Sequence, residues 1–286
     1  MGSPCQLHGF FLSQEQATQA FDQTEAEVLR LEHKYSRYRE DSVVTQINRA
    51  ERPIEVDTET QGLLNYAKTC HEMSDGLFDI TSGVLRQVWN FREPRLPTPD
   101  SVEACLKLVG FHQIRWDGQM VQLPAGMELD FGGVVKEYAA DQAKKVLLSL
   151  GVEHGLVDLG GDMAVVGPKP DGAPWKVGVR NPEQPDRPIV TINLSEGAIA
   201  TSGHYERYVI VDGTRYCHIL NPKTGWPVQG LATVSVISSQ CLVSGSLSTI
   251  AMLKGAQGPQ WLSEQGVVFF AQDEAGQHFG SIEIEL

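Results

Sequence analysis

The sequence predicts an α+β fold in which antiparallel strands and packed helices share one core. Two dipeptides carry the prediction: Asp117-Gly118 and Asp212-Gly213 each lie between two apolar runs, which is the pattern of a β-hairpin. The strands therefore come in antiparallel pairs and do not alternate regularly with helices. The chain can also bury a large core, because 41% of its 286 residues are hydrophobic and 21% are charged.

Helices are predicted where apolar residues recur with a period of 3.6 and where end signals are present. Ser13 and Gln16 form a capping-box pattern at the start of the first helix. Gly110, Gly151 and Gly255 each follow the last residues of such a segment, which is where glycine ends helices. The predicted helices cover residues 13–35, 59–73, 100–109, 134–150 and 242–253.

Strands are predicted where short runs rich in β-branched and aromatic residues lie between turn signals. The two hairpins come first, at residues 113–123 and 208–219. The remaining predicted strands cover residues 129–131, 155–159, 175–180, 189–194, 232–237, 267–271 and 278–284.

Composition excludes several classes of function. The chain has 23 Lys and Arg against 36 Asp and Glu, a net charge of -13, so most of its surface should repel a nucleic acid. Its five cysteines contain no C-x-x-C pair, which argues against a zinc knuckle or a disulfide framework. No apolar run reaches the roughly 20 residues of a transmembrane segment. The sequence leaves open a cytoplasmic protein or an exported one whose leader was removed.

Four glycine-bearing turns are candidate sites for a phosphate group. They cover residues 130–133, 158–162, 197–203 and 221–225, and the first precedes a predicted helix, whose N-terminus favours anions. Taken singly, each is better explained by an ordinary turn, and none fits a Rossmann fingerprint or a P-loop. His218, at the end of a predicted strand, is a candidate for proton transfer or an ordinary structural histidine.

Taken together, these segments resemble the FAD:protein FMN transferase family, also called ApbE. The matches occur in the family's order over nearly the whole chain, which is more specific than any single motif. They lie at residues 1–4, 35–42 with 47–49, 76–81 with 89–91, 130–136 with Tyr138 and Asp141, 159–162, 200–203, 218–225 and 247–249.

The resemblance implies one α+β domain over residues 1–286, with FAD in a cleft between two halves. It implies a Mg²⁺-dependent transfer of FMN from FAD to a threonine hydroxyl of an acceptor flavoprotein, with release of AMP. His218 would assist proton transfer. The positions that match the family's FAD contacts are Met1, Tyr38, Leu77, Phe78, Asp79, Tyr138, His218 and Ile219.

The metal site departs from the family pattern. The resemblance places Mg²⁺ on the Val135 carbonyl, on the Thr249 hydroxyl and on an aspartate at the position of Gly245. Glu137 also departs, since the family usually has glycine there, and Asn221 stands where it usually has aspartate. Residues 222–263 contain no Asp or Glu. The sequence therefore predicts that no nearby carboxylate replaces the missing ligand, unless one comes from elsewhere in the fold, and that Gly245→Asp strengthens metal binding.

Three functions stay open on these grounds. The first is a working FMN transferase whose Mg²⁺ is held weakly. The second is an FAD-binding paralogue without catalysis. The third is an FAD pyrophosphatase, in which water replaces the threonine hydroxyl. The transferase is placed first, because most of the cofactor-facing pattern is present.

Overall fold

The computed structural model describes residues 4–181, 184 and 186–282 and contains both helices and strands. The helices are α1 (Gln14–Tyr35), α2 (Val43–Arg49), α3 (Thr58–Met73), α4 (Pro99–Leu106), α5 (Val135–Ser149), α6 (Cys241–Lys254) and α7 (Gly258–Glu264). The strands are β1 (Cys5–Phe10), β2 (Ile54–Glu55), β3 (Arg115–Trp116), β4 (Met120–Gln122), β5 (His154–Leu159), β6 (Asp162–Gly167), β7 (Trp175–Val179), β8 (Val190–Leu194), β9 (Ala198–Gly203), β10 (Tyr208–Val211), β11 (Thr214–Cys217), β12 (Leu231–Ser238), β13 (Val268–Asp273) and β14 (His278–Gly280).

A seven-stranded sheet forms the centre of the fold. Its strands lie in the order β1-β5-β6-β9-β12-β13-β14, and every neighbouring pair is antiparallel. Three smaller sheets are β2-β4-β3, β7-β8 and β10-β11. The predicted α+β class is therefore confirmed.

The central sheet is covered on both faces, because side chains alternate between them along each strand. Val157 and Leu159 of β5 join the core beneath α1, α5 and α3, whereas Leu156 packs against the β7-β8 hairpin on the other face. On the helical face, α5 packs on β5 and β6, and α6 packs on β9 and β12. The two helices also contact each other, so their facing residues are placed over the middle of the sheet.

The local signals in the sequence predicted most of the helices and both hairpins. The Ser13 hydroxyl accepts a hydrogen bond of 3.1 Å from the Gln16 N–H at the start of α1. Asp212 and Gly213 both have positive φ, as the tight β10-β11 turn requires. None of the helices among the described residues is both long enough and apolar enough to cross a bilayer.

Other elements differ from the prediction. Residues 129–131 are not a strand, because they form the irregular approach to α5. Residues 198–203, predicted as part of a glycine-bearing turn, form β9 in the middle of the main sheet. Strands β1 and β6 and helix α2 were not predicted. Of the last predicted strand, residues 278–284, the part His278–Gly280 forms β14, residues 281 and 282 are irregular, and residues 283 and 284 lie outside the described residues.

Candidate functional site

The start of α5 is assembled from two motifs that are far apart in the sequence. Asp130 forms an ion pair with Arg37 and accepts a hydrogen bond of 2.9 Å from the Gly132 N–H. The Arg37 guanidinium lies 4.9 Å from the ring of Tyr38, which is 81% exposed. The exposed Gly132-Gly133 turn therefore has an aromatic side chain within reach at the N-terminus of a helix, where a phosphate group is favoured.

The loop that carries Phe78 and Asp79 lies next to this turn. A Cβ atom added at Gly133 would stand 3.8 Å from the ring of Phe78. The Asp79 carboxylate is buried and accepts hydrogen bonds from the N–H and hydroxyl of Thr81 and from the N–H of Phe111, at 2.9, 2.6 and 2.9 Å. Asp79 thus holds the loop together, and its predicted contact with FAD stays a prediction.

An ion pair joins α5 to the second and third glycine-bearing segments. The Lys136 ammonium lies 2.6 Å from a carboxylate oxygen of Asp162, which is only 2% exposed. The other Asp162 oxygen accepts a hydrogen bond of 3.1 Å from the Thr201 N–H. Burial alone would lower the pKa of the Lys136 ammonium group. The negative charges of Asp162 and Glu137 have the larger combined effect, so the pKa is raised. Two segments predicted as separate turns, residues 158–162 and 197–203, therefore meet the start of α5 at one ion pair whose carboxylate is buried.

His218 lies close enough to Lys136 for the charge of the ammonium group to act on it. Its Nδ1 lies 3.2 Å from the Arg207 carbonyl oxygen. Because a carbonyl only accepts, Nδ1 carries the hydrogen and Nε2 keeps its lone pair. Burial lowers the pKa of His218, and the positive charges of Arg207 and Lys136 lower it further. The imidazole is therefore neutral at physiological pH and can accept a proton at Nε2.

The fourth glycine-bearing turn, residues 221–225, packs against the Phe78 loop and the segment around Trp89. The Trp89 indole donates a hydrogen bond of 2.7 Å to the Gly225 carbonyl. The Lys223 side chain lies close to Gly76, one residue before Leu77. Ile219 is partly buried beneath the turn and accepts a backbone hydrogen bond from Val228. Leu77 and Ile219 thus lie near this junction, and their contacts with FAD stay predictions.

The predicted metal ligands lie on two helices that contact each other, Val135 on α5 and Gly245 and Thr249 on α6. Asp141 of α5 holds the start of α6 in place, because its carboxylate accepts hydrogen bonds of 2.8 and 2.9 Å from the N–H groups of Cys241 and Leu242. Gly245 lies one turn further along α6 and Thr249 one turn beyond it, on the same face. The Thr249 hydroxyl is 3.1 Å from that of Ser202 on β9.

Glu137 fills the space next to Gly245. A Cβ atom added at Gly245 would overlap Cγ of Glu137 and lie 3.0 Å from its Cδ. A carboxyl group from the opposite helix therefore lies where a side chain at position 245 would stand, as the sequence left open for a group from elsewhere in the fold. Burial raises the pKa of Glu137, and the neighbouring Asp162 raises it further. A carboxylate, a hydroxyl and the Val135 carbonyl are the oxygen donors that Mg²⁺ prefers, so the residues present fit this ion.

Known proteins resemble this chain in both sequence and structure. The sequence matches the ApbE family over residues 1–270. The chain belongs to the ApbE family. A crystal structure of the ApbE protein from Thermotoga maritima superimposes with a TM-score of 0.86 at 34% sequence identity, covering 94% of this chain and 91% of that one.

Curated ApbE relatives include two proteins named FAD:protein FMN transferase. The one from Vibrio cholerae serotype O1 is 29% identical over 232 residues, which are 78% of this chain and 69% of the relative. The one from Treponema pallidum is 30% identical over 239 residues, which are 76% of this chain and 66% of the relative. The chain thus spans about two thirds of the length of these curated ApbE relatives.

Not all residues predicted from the ApbE resemblance come together. The Tyr138 hydroxyl donates a hydrogen bond of 3.2 Å to Glu59, next to Arg30, so this side chain faces α1 and α3 while Lys136 faces the sheet. Met1 lies outside the described residues. The sequence reasoning missed the Lys136–Asp162 and Arg37–Asp130 pairs. Among the described residues, no group of three or more His, Cys, Asp or Glu side chains converges as a metal cluster.

Replacing Gly245 with alanine tests the placement of Glu137. A glycine-to-alanine change inside a helix ordinarily stabilises a protein by about 0.5–1 kcal/mol. Here the added methyl group would overlap Glu137, so we expect Gly245→Ala to lower the free energy of unfolding by about 1–3 kcal/mol. In a Glu137→Ala background the same change should stabilise. Urea denaturation of the four proteins measures this coupling.

Gly62 provides the matched control, because it lies within α3 and no atom stands within 4 Å of an added Cβ. We expect Gly62→Ala to stabilise in either background. If Gly245→Ala stabilises the otherwise unchanged protein as much as Gly62→Ala does, Glu137 does not occupy the space described above.

Proposed function

We propose that this chain transfers FMN from FAD to a threonine hydroxyl of an acceptor flavoprotein and releases AMP. The names of its relatives support the transfer of FMN from FAD. The observation that carries the proposal for this chain is the convergence of four separate polar turns around the start of α5. That convergence supplies a helix N-terminus, aromatic side chains, a buried cation and a neutral imidazole in one region.

FAD would be held by the groups at this junction. The exposed backbone at Gly132 and Gly133 suits the diphosphate, because glycine lets a ligand approach and the helix end favours negative charge. Tyr38, exposed above Arg37, offers an aromatic face to a flat ring. Phe78 is buried beside Gly133, so its ring would lie beneath a diphosphate bound at this turn.

His218 would take the proton in the transfer step. The threonine oxygen attacks the phosphorus of the FMN half, the bond from that phosphorus to the bridging oxygen breaks, and AMP leaves with this oxygen. The hydroxyl proton passes to Nε2 of His218, which is free because Nδ1–H is hydrogen-bonded to Arg207. The phosphoester formed and the AMP released balance the FAD and the hydroxyl consumed.

The proposal includes a Mg²⁺ ion between α5 and α6. When bound there, the ion would supply positive charge to the diphosphate and to the departing AMP. The Val135 carbonyl and the Thr249 hydroxyl are the ligands expected from the family resemblance. Both are neutral, and Mg²⁺ ordinarily takes at least one carboxylate as well.

One incubation tests the function. The protein is mixed with FAD, Mg²⁺ and an acceptor flavoprotein domain that presents a threonine, and acceptor mass and free AMP are followed together. We expect AMP and an FMN adduct to appear in equal amounts, and neither when the acceptor threonine is replaced by valine. AMP with free FMN would indicate a pyrophosphatase instead, and bound FAD with neither product would indicate a binding protein.

A further inference from the structure

The carboxylate of Glu137 is an unusual group in the core of this protein. The residue is 8% exposed, and its Oε2 atom is buried without a hydrogen-bond partner. The other buried residues of α5 are small or apolar: Val135, Ala139, Ala140, Ala143 and Leu147. Burying a carboxylate oxygen without a partner opposes folding, so a compensating charge or donor is expected.

The nearby protein groups do not supply that compensation. The Lys136 ammonium forms its ion pair with Asp162, at 2.6 Å, and not with Glu137. Asp162 itself is acidic and adds negative charge to the same region. Oε2 is therefore a buried oxygen acceptor without a donor, with a second acidic side chain nearby, and this is an environment that a bound cation would satisfy.

The position of this carboxylate relative to α6 specifies the site. Glu137 fills the space that a side chain at position 245 would occupy, with Oε1 3.3 Å from the Cβ position of such a side chain. Thr249 lies one turn after position 245 on the same face of α6. Val135 lies two residues before Glu137, in the first turn of α5. A carboxylate from α5 thus reaches the place where an aspartate on α6 would present one.

We infer that Glu137 supplies the anionic ligand of a divalent cation held between α5 and α6, together with the Thr249 hydroxyl and the Val135 carbonyl. The ligand has changed helices: α6 has lost its carboxylate at position 245, and α5 provides one at position 137. This inference rests on the proposed function for the choice of a hard, oxygen-preferring ion. Gly245→Asp alone would then not strengthen metal binding, because its side chain would compete with Glu137 for one space.

Mn²⁺ binding tests the inference without reference to turnover. The full chain is freed of metal with a chelator and titrated with Mn²⁺, alone and with FAD, while free Mn²⁺ is followed by electron paramagnetic resonance. Loss of groups that merely orient a ligand costs about 10–100-fold in metal affinity, so we expect Glu137→Gln to cost at least about tenfold. Exchanging both positions, in Glu137→Gly/Gly245→Asp, should restore affinity to near that of the unaltered protein.

Two further variants complete the design. Glu137→Gly alone should bind Mn²⁺ as weakly as Glu137→Gln, and Glu128→Gln, a partly exposed carboxylate paired with Arg86, should leave Mn²⁺ affinity unchanged. Circular dichroism establishes that each variant is folded. Mn²⁺ affinity that is undiminished in Glu137→Gln, no Mn²⁺ binding by the unaltered protein in either condition, or a folded double variant that stays as weak as Glu137→Gly would each overturn the inference.

Failure of the proposed function would give a different result. If the unaltered and doubly exchanged proteins both bind Mn²⁺, Glu137→Gln does not, and no FMN reaches the acceptor, then the ligand assignment stands and the transferase activity does not. If instead Glu137→Gln binds Mn²⁺ as tightly as the unaltered protein and FMN still reaches the acceptor, then the transferase activity stands and the ligand assignment does not.

Discussion

His218→Gln is expected to lower kcat for FMN transfer by about 10²–10⁴-fold while FAD affinity changes little. Nδ1 of His218 is held by the Arg207 carbonyl, and Nε2 is the acceptor that would receive the threonine proton. Glutamine keeps a donor for Arg207 but has no group that becomes protonated near neutral pH. Single-turnover transfer to the acceptor domain, with FAD binding followed by fluorescence, separates the two effects.

The pH dependence distinguishes a base from a structural residue. Since burial, Arg207 and Lys136 lower the pKa of His218, its neutral form persists to a lower pH than the usual value of 6.5. The acid limb of kcat/KM should therefore lie below pH 6.5, and His218→Gln should remove it. His8→Gln, at an exposed position on the edge strand β1, is the control and should keep both rate and profile. An unchanged acid limb in His218→Gln would show that another group takes the proton.

Lys136→Met is expected to lower the free energy of unfolding by about 3–5 kcal/mol, because breaking a buried ion pair leaves a buried charge unpaired. Asp162 is 2% exposed and would keep only its hydrogen bond from Thr201, beside the carboxylate of Glu137. Methionine matches the length of the lysine stem, so the loss of packing is small. Urea denaturation in the presence of a chelator measures the change without any contribution from metal.

Lys145→Met is the control for this loss, because it removes the same charge from an exposed position of the same helix. We expect it to change stability by less than about 0.5 kcal/mol. Adding Asp162→Asn to Lys136→Met should recover part of the lost stability, since the unpaired charge is then gone. If Lys136→Met costs no more than Lys145→Met, the pair is not buried as described.

The sequence predicted those parts of the fold whose signals are local. The start of α1 follows from Ser13 and Gln16, and the β10-β11 turn follows from Asp212 and Gly213, because each signal acts within a few residues. Strands β1 and β9 were missed because their identity depends on partners that are distant in the chain. The small residues of β9 and its terminal glycines gave it the appearance of a turn.

The candidate site divides in the same way. His218 and the turn at Gly132 and Gly133 were found from local patterns, a histidine at the end of a strand and glycines before a helix, and the family resemblance then implied their roles. The pairing of Lys136 with Asp162 was not, because an ion pair between two elements leaves no periodic pattern. Glu137 and Gly245 were noticed as separate departures from the family pattern. Relative to the family pattern, position 137 has an additional acidic side chain and position 245 lacks one. These opposite departures were the signal in the sequence that the two positions are in contact.

The β10-β11 hairpin, which leads into His218, forms a sheet of only two strands, and two strands alone are marginally stable. It is linked to the large sheet through Arg215, which donates to His204, itself hydrogen-bonded to the Ala232 carbonyl. Segments with so little support open at a small fraction of the cost of global unfolding. In the proposed transfer, a large acceptor protein would therefore be admitted by local opening of this hairpin while the central sheet stays folded. Binding of large acceptors and thermal stability of the whole protein would then not oppose each other.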